Sequence, residues 1–570
     1  MLKSQTSFTN RVDLLSQLTK NANADSEQKW DVIVVGGGIV GAGILQEATR
    51  RGLSALLIEQ QDFAWGTSSR SSKMVHGGLR YIAQGDVKLT KHSLQERELL
   101  LKQAPGLINR MGYYFVVRKS QFPGRFIMGT LLSIYDWLAG IKDHKFLNLQ
   151  ETIKKFPGLR TDKLKGTCYY TDTVVDDSRL VMRVLQEAVQ AGAHVLNYTK
   201  AKTLLTDPNT ARVIGVIIED TSQDLNDITD SKSNESLTLK SSVVINATGA
   251  WADRLRNEVV NEQRVRPLRG SHLVITEGTI CLDGALTLLH PKDNRPVFIY
   301  PWEGVTVIGT TDLDHTENLD NEAKISQIEV DYLLEAFNQT FPDKEISAQD
   351  IISTWSGVRP VIASDNNFSK NASKEARTHS IWADNALITA SGGKLTTFRL
   401  TAIEAVNAAI PWLEPDQKNK YSQEGHNDDV FTNSPSEQLF LNHPNIHNYK
   451  KSWLQRLTGR YGNNAALILQ QVNEKENLII GNTQFCFAEC RWAIKNEAVI
   501  HLDDLLLRRT RLGLLLKNGA EELFPALYCI FQQELGWEEV KWQDEVMRYN
   551  EIWKEFYYLP KTTLMSSKQD

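Results

Sequence analysis

Three glycines near the start of the chain, Gly36, Gly38 and Gly41, have the G-x-G-x-x-G spacing that is typical of a diphosphate-binding turn. The first glycine lets a strand turn, the second lets backbone N–H groups approach a diphosphate, and the third lets a helix pack closely on the strand. Ile39 opens the helical pattern that follows, so its N–H lies at the positive end of a helix dipole. This spacing predicts a site for the diphosphate of a dinucleotide.

The elements that must position this turn are also visible in the sequence. Apolar runs at residues 31–35 and 53–58 predict a strand on each side of the helix. Glu59 ends the second strand, and its carboxylate can accept hydrogen bonds from a ribose 2′-hydroxyl while repelling a 2′-phosphate. An isolated glycine pattern is often only a loop, but here both strands and the acid are in register. This unit alone does not distinguish an NAD-binding site from an FAD-binding site.

The bulk composition is that of an ordinary globular protein. The chain has 570 residues, of which 23% are charged and 41% are hydrophobic, and its net charge is −5. This length allows about two to four domains, and the charge gives no support to nucleic-acid binding. The five cysteines are scattered, which favours free thiols in a reducing compartment, and they form no metal-binding set with histidine.

Neither a signal peptide nor a membrane-spanning run is indicated, because the N-terminus is polar and the apolar runs are short. We therefore expect a cytoplasmic protein, either free or attached to a membrane from the cytoplasmic side. Residues 122–142 form the most apolar amphipathic segment. They predict either a core helix, which is the commoner case, or a helix lying in a membrane surface, with Arg118, Lys119, Arg125, Lys142 and Lys145 nearby.

The pattern of elements predicts the domain organisation. A polar extension with one short amphipathic turn precedes an α/β module, and a polar linker leads from the module to a helical C-terminal domain and a tail. Strand patterns at residues 270–311 predict an antiparallel sheet within the module. The boundaries are 1–29 for the extension, 30–410 for the module, 411–433 for the linker, 434–555 for the helical domain and 556–570 for the tail. Within the module, the cofactor-binding parts are about 30–107, 165–265 and 355–410, and the substrate parts are about 108–164 and 266–354.

Two later turns offer groups for the rest of a dinucleotide. In NATGAW, residues 246–251, Gly249 allows the backbone to approach the cofactor closely. SGGKLTT, residues 391–397, combines glycine N–H groups with the positive charge of Lys394, which suits the flavin edge where negative charge accumulates on reduction. A nicotinamide does not need this third turn, so the later motifs favour FAD. The residues expected at the cofactor in this turn are Gly392, Gly393, Lys394, Leu395 and Thr396.

Several motifs in the same order resemble those of FAD-dependent glycerol-3-phosphate dehydrogenases over residues 30–410, namely DVIVVGGGIVGAG, GTSSRSSKMVHGGLRY, NATGAWAD, IGTTD, SGVRP and SGGKLTT. Residues 490–513 also resemble the C-terminal domain of that family. The resemblance implies noncovalently bound FAD and oxidation of sn-glycerol 3-phosphate to dihydroxyacetone phosphate, with hydride transfer from C2 to flavin N5. It implies an α/β fold in which a Rossmann-like FAD-binding domain is interleaved with an antiparallel-sheet substrate domain and followed by an all-α C-terminal domain.

The resemblance also gives a role to the loop at residues 66–82, which alone would be an ordinary polar loop. It implies that Thr67, Ser68, Lys73 and Gly77 line the diphosphate, the ribityl chain and the flavin ring. In this family electrons usually pass to a membrane quinone, and a related oxidase branch passes them to O₂.

A substrate phosphate requires several fixed cations, and arginine suits this task because its forked guanidinium matches phosphate oxygens. Arg80, Arg359 and Lys394 are candidates because they lie in glycine-rich motifs that flank the expected flavin. Arg377 is a further candidate in a loop-like stretch that departs from any tight motif.

Removal of the proton from the substrate hydroxyl requires a base. His76 is the first candidate and His272 in RGSHLV is the second. Arg80 or Arg359 is expected to hold the developing alkoxide, and Tyr81 to complete the pocket by hydrogen bonding. The sequence does not decide which group takes the proton.

Three alternative functions are weighed against quinone-linked oxidation. They are a glycerophosphate oxidase that reduces O₂ to peroxide, an amine or amino-acid oxidase on the same fold, and a non-catalytic flavin-binding protein. The absence of a long insertion at residues 301–355 favours the dehydrogenase, the set of cations argues against an amino-acid oxidase, and intact motifs argue against a non-catalytic protein. The sequence leaves the acceptor, the membrane surface, a homodimer and the role of the helical domain open.

Overall fold

The structure is a computed structural model that describes residues 8, 11–23, 29–83, 85–222, 236–363, 378–420, 429–431, 440, 449–470 and 474–561. Its strands in chain order are β1 (Lys29–Val35), β2 (Ala55–Ile58), β3 (Ile108–Arg118), β4 (Lys145–Asn148), β5 (Leu164–Val175), β6 (His194–Leu196), β7 (Thr199–Thr206), β8 (Val213–Asp220), β9 (Leu237–Asn246), β10 (Val265–Thr276), β11 (Ala285–Leu289), β12 (Pro296–Trp302), β13 (Val305–Gly309), β14 (Leu313–Asp314), β15 (Ile351–Ile362), β16 (His379–Asp384) and β17 (Leu387–Gly392). Its helices are α1 (Arg11–Asn23), α2 (Ile39–Arg50), α3 (Leu79–Ala83), α4 (Val87–Gln103), α5 (Arg125–Ala139), α6 (Leu149–Lys155), α7 (Asp177–Gln190), α8 (Ala252–Arg256), α9 (Gln327–Thr340), α10 (Phe398–Ala409), α11 (Pro415–Lys420), α12 (Lys451–Tyr461), α13 (Ala465–Gln470), α14 (Phe487–Asn496), α15 (Leu512–Leu515), α16 (Phe524–Leu535) and α17 (Glu539–Phe556).

The first sheet has a parallel centre in the order β17-β9-β1-β2-β6, with β16 antiparallel at one edge. Val32 and Val34 of β1 face helices α2, α7 and α10, while Ile33 and Val35 face the other side, where β7, β8 and α1 lie. Both faces of β1 are therefore buried, which explains its continuous apolar run. Because parallel strands end at the same edge, the turns that follow β1, β9 and β17 meet there.

The second sheet has the order β14-β10-β13-β12-β11-β3-β5-β4, with β15 paired to β10. Its pairs are antiparallel except for β11 and β3. This arrangement confirms the interleaved antiparallel domain. Strands β5 and β15 both belong to this second sheet. The chain therefore leaves the second sheet after Val175 and after Ile362, later than residues 165 and 355, where the sequence predicts that the cofactor-binding parts resume.

The N-terminal extension contains a longer element than the expected turn at residues 12–18. Helix α1 has 13 residues, and Leu14 and Leu18 are buried against the first sheet. Arg11 Nε donates to the carbonyl of Asn197 at 3.0 Å, and its Nη2 donates to the carbonyl of Tyr198 at 3.0 Å. The apolar spacing correctly indicated helical structure in this segment. The helix is longer than that spacing predicts because its side chains pack and hydrogen-bond against the rest of the protein.

The C-terminal region is helical, as expected, from α12 to α17 in the part of the chain that is described. Its apolar side chains share one core with the second sheet, to which Trp302 and Trp355 of the sheet and Leu505 and Phe531 of the helical region all belong. The helical region therefore supports the second sheet directly.

Helix α5 covers most of residues 122–142, with one face in the core and the other exposed. Met128, Leu132 and Tyr135 are buried on one face. Phe126 and Trp137 are 89% and 78% exposed on the other. Among the described helices, none has both the length and the apolar content needed to cross a bilayer.

Candidate functional site

A cleft of about 330 Å³ opens at the edge of the first sheet where β1, β9 and β17 end. Its walls are the turns after these three strands and the loop after β2. Of the expected cofactor residues, those that line it are Gly36, Gly38, Ile39, Glu59, Thr67, Ser68, Gly249, Gly392, Gly393, Lys394 and Leu395. The structure thus brings together turns that are far apart in the chain.

The first turn is too tight for any side chain. Gly36 has a φ of +116°, and a Cβ there would lie 2.5 Å from the carbonyl oxygen of Ala247. A Cβ on Gly41 would lie 1.9 Å from the carbonyl oxygen of Gly36, so this glycine lets α2 approach β1 but does not line the cleft. These distances fit the roles that the spacing gives to Gly36 and Gly41.

The carboxylate of Glu59 is held by the same turn. It accepts hydrogen bonds from the backbone N–H of Gly37 at 2.6 Å and of Gln61 at 2.9 Å. Burial raises the pKa of Glu59, and the backbone donors oppose that shift. Each carboxylate oxygen accepts one of these bonds and retains a further lone pair, so Glu59 can still accept from a ribose hydroxyl in the cleft.

The loop after β2 contributes two hydroxyls with different partners. Ser68 Oγ accepts from the N–H of Ile39 at 3.0 Å, which places it at the N-terminus of α2. Thr67 Oγ1 donates to the carbonyl of Val358 on β15. Thr67 therefore ties the cofactor loop to the second sheet, and Ser68 is the hydroxyl at the diphosphate turn.

Lys73 is placed differently from the expectation. Its ammonium is fully buried, 2.9 Å from both carboxylate oxygens of Asp177, and donates to the carbonyl of Ser69 at 2.5 Å. Burial lowers the pKa of Lys73 to about 7, the charge of Arg511 adds to that shift, and Asp177 opposes it. Because this buried carboxylate holds the ammonium, Lys73 does not line the cleft, and a contact with the diphosphate does not fit its placement.

The turn after β17 and the loop at His76 are joined. The N–H of His76 donates to Thr396 Oγ1, which donates to the carbonyl of His76, both at 3.2 Å. The His76 ring stacks on Tyr81 with centroids 6.4 Å apart, and Lys394 Nζ lies 3.5 Å from the centre of the Tyr81 ring. His76, Tyr81 and Lys394 thus form one group at the end of the cleft.

Arg359 lies beside Pro360, which lines the cleft. Its Nη1 is 3.3 Å from Asp312 Oδ1, and its Nη2 donates to Thr310 Oγ1 at 3.2 Å. A Cβ on Gly270 would lie 2.2 Å from Nη2, so only glycine leaves room for this guanidinium. These contacts fix one positive charge at the junction of the two sheets.

His272 lies opposite Trp355 in the β10–β15 pair, and the two rings stack with centroids 4.9 Å apart. Nε2 is 2.9 Å from Ser72 Oγ, and the buried Nδ1 has no hydrogen-bond partner among the described residues. Burial holds the pKa of His272 well below its usual value of 6.5, and the charges of Arg359 and Lys73 lower it further. His272 is therefore a neutral imidazole at pH 7.

Three other candidates make no described contact with the cleft. The N–H of Gly77 donates to Tyr135 Oη at 3.1 Å and to Asp172 Oδ1 at 3.3 Å, so Gly77 serves packing behind the loop. Arg80 lies in α3, and its side chain is outside the described part of the structure. Arg377 lies outside the described residues.

Sequence reasoning missed several residues that line the cleft. Trp65 and Trp251 face each other in its wall with ring centroids 5.9 Å apart. Trp65 directly precedes the motif GTSSRSS, and Trp251 is the last residue of the motif NATGAW, so both positions were a usable signal. Lys200 and Lys202 of β7 and Arg254 of α8 line the cleft too, and no motif marks them.

Comparisons with known proteins agree with this geometry. Residues 31–399 match the family described as FAD dependent oxidoreductase, and residues 425–541 match the C-terminal domain of alpha-glycerophosphate oxidase. The aerobic glycerol-3-phosphate dehydrogenase of Staphylococcus haemolyticus is 32% identical over 501 residues, which cover 85% of this chain and 87% of that protein. The protein of the same name from Staphylococcus epidermidis is 36% identical over 404 residues, which cover 69% of each.

Two solved structures are also similar. The glycerol-3-phosphate dehydrogenase of Bacillus halodurans complexed with FAD has a TM-score of 0.69 at 26% identity and covers 94% of this chain and 97% of that one. The L-alpha-glycerophosphate oxidase of Mycoplasma pneumoniae with FAD bound has a TM-score of 0.52 at 18% identity, covers 69% of this chain and 98% of that one, and shares the fold.

Proposed function

This chain belongs to the FAD-dependent oxidoreductase family, and on that premise we propose that it oxidises sn-glycerol 3-phosphate to dihydroxyacetone phosphate. The observation that carries the proposal is the likeness, over 85% of the chain, to a relative named aerobic glycerol-3-phosphate dehydrogenase. Fixed cations and a neutral imidazole near one end of the cleft supply what this reaction requires: a place for a phosphate and a proton acceptor.

The cleft fits FAD on observations of its own residues. Gly36 and Gly249 both have positive φ, and a Cβ on Gly249 would meet open space, so the backbone there is free to lie against a ligand. Trp251 lines the cleft, and its Nε1 is buried without a hydrogen-bond partner within the described part of the chain. Glu59 and Ser68 would hold the ribose and the diphosphate. When bound, FAD supplies the acceptor for the hydride that leaves C2 of the substrate.

We assign the substrate phosphate to Arg359 and Lys394. Arg359 is held by Asp312 and Thr310, so its charge is oriented before substrate arrives. Lys394 lies over the Tyr81 ring, which keeps its ammonium at the end of the cleft. Arg80 joins this set on the resemblance of its motif alone, and Arg377 stays a further candidate for it on the sequence alone. Two or more fixed cations offset the free-energy cost of transferring a phosphate from water into the protein.

We assign the proton of the substrate hydroxyl to His272. Its imidazole is neutral, and in the tautomer whose Nε2–H donates to Ser72 Oγ the lone pair that can accept a proton lies on Nδ1. The adjacent charge of Arg359 stabilises negative charge that develops on the substrate oxygen as the proton leaves. His76 then serves to support Tyr81 and Lys394 through its ring and its backbone bond to Thr396.

A quinone is the electron acceptor that we propose, reached from the cytoplasmic side of a membrane. Helix α5 supports this because it exposes Phe126 and Trp137, while basic residues lie nearby at Arg118, Lys119, Arg125, Lys142 and Lys145. Aromatic side chains flanked by cations suit the boundary between lipid headgroups and acyl chains. Binding at this surface would bring the protein to a quinone dissolved in the bilayer.

Oxygen is the second candidate acceptor, favoured by the match of residues 425–541 to a domain of alpha-glycerophosphate oxidase. Reduced enzyme should be mixed separately with a soluble quinone and with O₂, and flavin reoxidation followed in each. We expect the quinone to reoxidise the flavin at least tenfold faster. Faster reoxidation by O₂, with stoichiometric peroxide, would contradict the quinone assignment and leave the oxidation of substrate standing.

A further inference from the structure

A fully buried carboxylate joins the C-terminal region to the loop beside the site. Asp177, in the first turn of α7, accepts from the N–H and Oγ of Ser71 at 2.9 and 2.7 Å and from Lys73 Nζ at 2.9 Å. Arg511, which precedes α15, donates its Nη2 to the same carboxylate and to the carbonyl of Ser69 at 2.6 Å. Arg511 thus holds the turn at residues 69–73 directly at Ser69 and, through Asp177, at Ser71 and Lys73.

Two members of this cluster have unfavourable backbone conformations. Lys73 has a φ of +58° and Arg511 has a φ of +63°, in the left-handed region that non-glycine residues rarely adopt. Such strain persists where the surrounding contacts determine the conformation, and it concentrates at functional sites. Both strained residues bind Asp177, so this carboxylate is the partner that they share.

The turn that the cluster fixes contains Ser72, the partner of His272. Ser72 Oγ lies 2.9 Å from His272 Nε2, and Tyr300 Oη donates to the Ser72 carbonyl at 2.8 Å. Trp355, which stacks on His272, donates its Nε1 to the Ser71 carbonyl at 3.1 Å. A shift of the turn would therefore move both the hydrogen bond and the stacking partner of His272.

We propose that Arg511 is a positioning residue for substrate oxidation: through Asp177 and the Ser69 carbonyl it sets the turn that orients His272. The inference rests on the proposed function, because it takes His272 as the proton acceptor. Arginine is needed because one planar group donates to a carboxylate and a carbonyl at once, which a lysine ammonium on a flexible stem does not reproduce. The helical C-terminal region thereby takes part in the reaction without touching substrate.

The test compares Arg511→Met and Arg511→Lys with the wild-type holoenzyme. Flavin reduction by sn-glycerol 3-phosphate should be followed anaerobically, with substrate KM and the pH profile of kcat. We expect each variant to slow flavin reduction at least tenfold, to change KM less than twofold, and to shift the acid limb of the kcat profile. Arg548→Met is the matched control: it removes a partly buried arginine that pairs with Asp503 and makes no described contact with the turn, so its reduction rate should stay within twofold of wild type.

A second variant tests the route through Ser72. Ser72→Ala should slow flavin reduction by itself, and the combination with Arg511→Lys should be no slower than the slower single variant, because both act on the same bond. If the rate losses of the two single variants multiply in the double variant, the proposal is overturned. Arg511 variants that reduce flavin at the wild-type rate would also overturn it. If Arg511→Met does not fold, Arg511→Lys and Ser71→Ala decide it by the same criteria.

The midpoint potential of the bound FAD, measured by titration with dithionite, separates this proposal from the proposed function. We expect the Arg511 variants to shift the potential and Arg548→Met to leave it unchanged. Wild-type flavin that dithionite reduces and sn-glycerol 3-phosphate does not would refute the proposed function. In that case the midpoint potentials of the bound FAD still test whether Arg511 positions the turn at residues 69–73. Identical midpoint potentials in all variants would overturn that role.

Discussion

Replacing Phe126 and Trp137 by serine is expected to release the protein from anionic vesicles. These side chains are 89% and 78% exposed. They lie eleven residues apart on α5, which at about 100° per residue puts them within about 20° of each other around the helix. The opposite face, with Leu132 and Tyr135, is packed in the core, so the helix should stay folded when the exposed pair is changed.

The size of the effect follows from the exposed area. An aromatic side chain can bury about 150–250 Å², so entry of half of each exposed ring into the acyl boundary removes about 80 Å² of apolar surface from water. At about 25 cal/mol per Å² this is about 2 kcal/mol for each residue and about 4 kcal/mol for the pair. The partition coefficient should therefore fall by about a thousandfold, since 1.4 kcal/mol is about a factor of ten.

The assay is co-sedimentation of the holoenzyme with vesicles that contain an anionic phospholipid, over a range of lipid concentrations. The matched control is Ile328→Ser with Val540→Ser, which removes two apolar side chains that are 78% and 74% exposed on α9 and α17. The control should bind as wild type does. Equal binding of the Phe126/Trp137 variant and wild type, or equal loss in the control, would refute α5 as the membrane surface.

Three further predictions concern the site itself. Arg359→Ala removes a charge-assisted hydrogen bond to the substrate phosphate, worth about 1.5–3 kcal/mol, so KM should rise about 10–150-fold in steady-state assays, and an unchanged KM would remove Arg359 from the phosphate site. Because the pKa of His272 is held well below 6.5, its proton-accepting form persists as pH falls through 6.5, so kcat/KM should stay flat from pH 8 to 6.5; an acid limb centred at 6.5 would contradict this assignment. Gly41→Ala forces a Cβ to within 1.9 Å of the Gly36 carbonyl and should cause loss of FAD on gel filtration, whereas Gly129→Ala, where a Cβ meets open space, should retain it.

The nucleotide-binding unit could be predicted because its determinants are local. The strand expected at residues 31–35 is β1, the helix begins at Ile39, and the second strand is β2, because glycine spacing and apolar runs act over a few residues. The turn after β17 also follows its motif, with Gly392 and Gly393 both at a φ of +79°. The FAD-binding fold class was also predicted correctly, from the family resemblance of several motifs in the same order.

Placement of the charged side chains could not be predicted, because it depends on partners far along the chain. Lys73 lies in a motif that resembles a cofactor loop, yet Asp177 pairs with its ammonium away from the cleft. Conversely, Lys200 and Lys202 reach the cleft only because β7 packs beside it. Sequence spacing identifies the turns, and tertiary packing decides which side chains face the ligand.

The most direct test of the central claim is anaerobic mixing of the FAD-loaded protein with sn-glycerol 3-phosphate while flavin absorbance is recorded. We expect the oxidised flavin band to bleach, with one dihydroxyacetone phosphate formed for each flavin reduced. The enantiomer sn-glycerol 1-phosphate and the amino acid glycine serve as controls and should leave the spectrum unchanged. An unchanged spectrum with sn-glycerol 3-phosphate, in protein whose flavin dithionite does reduce, would contradict the account.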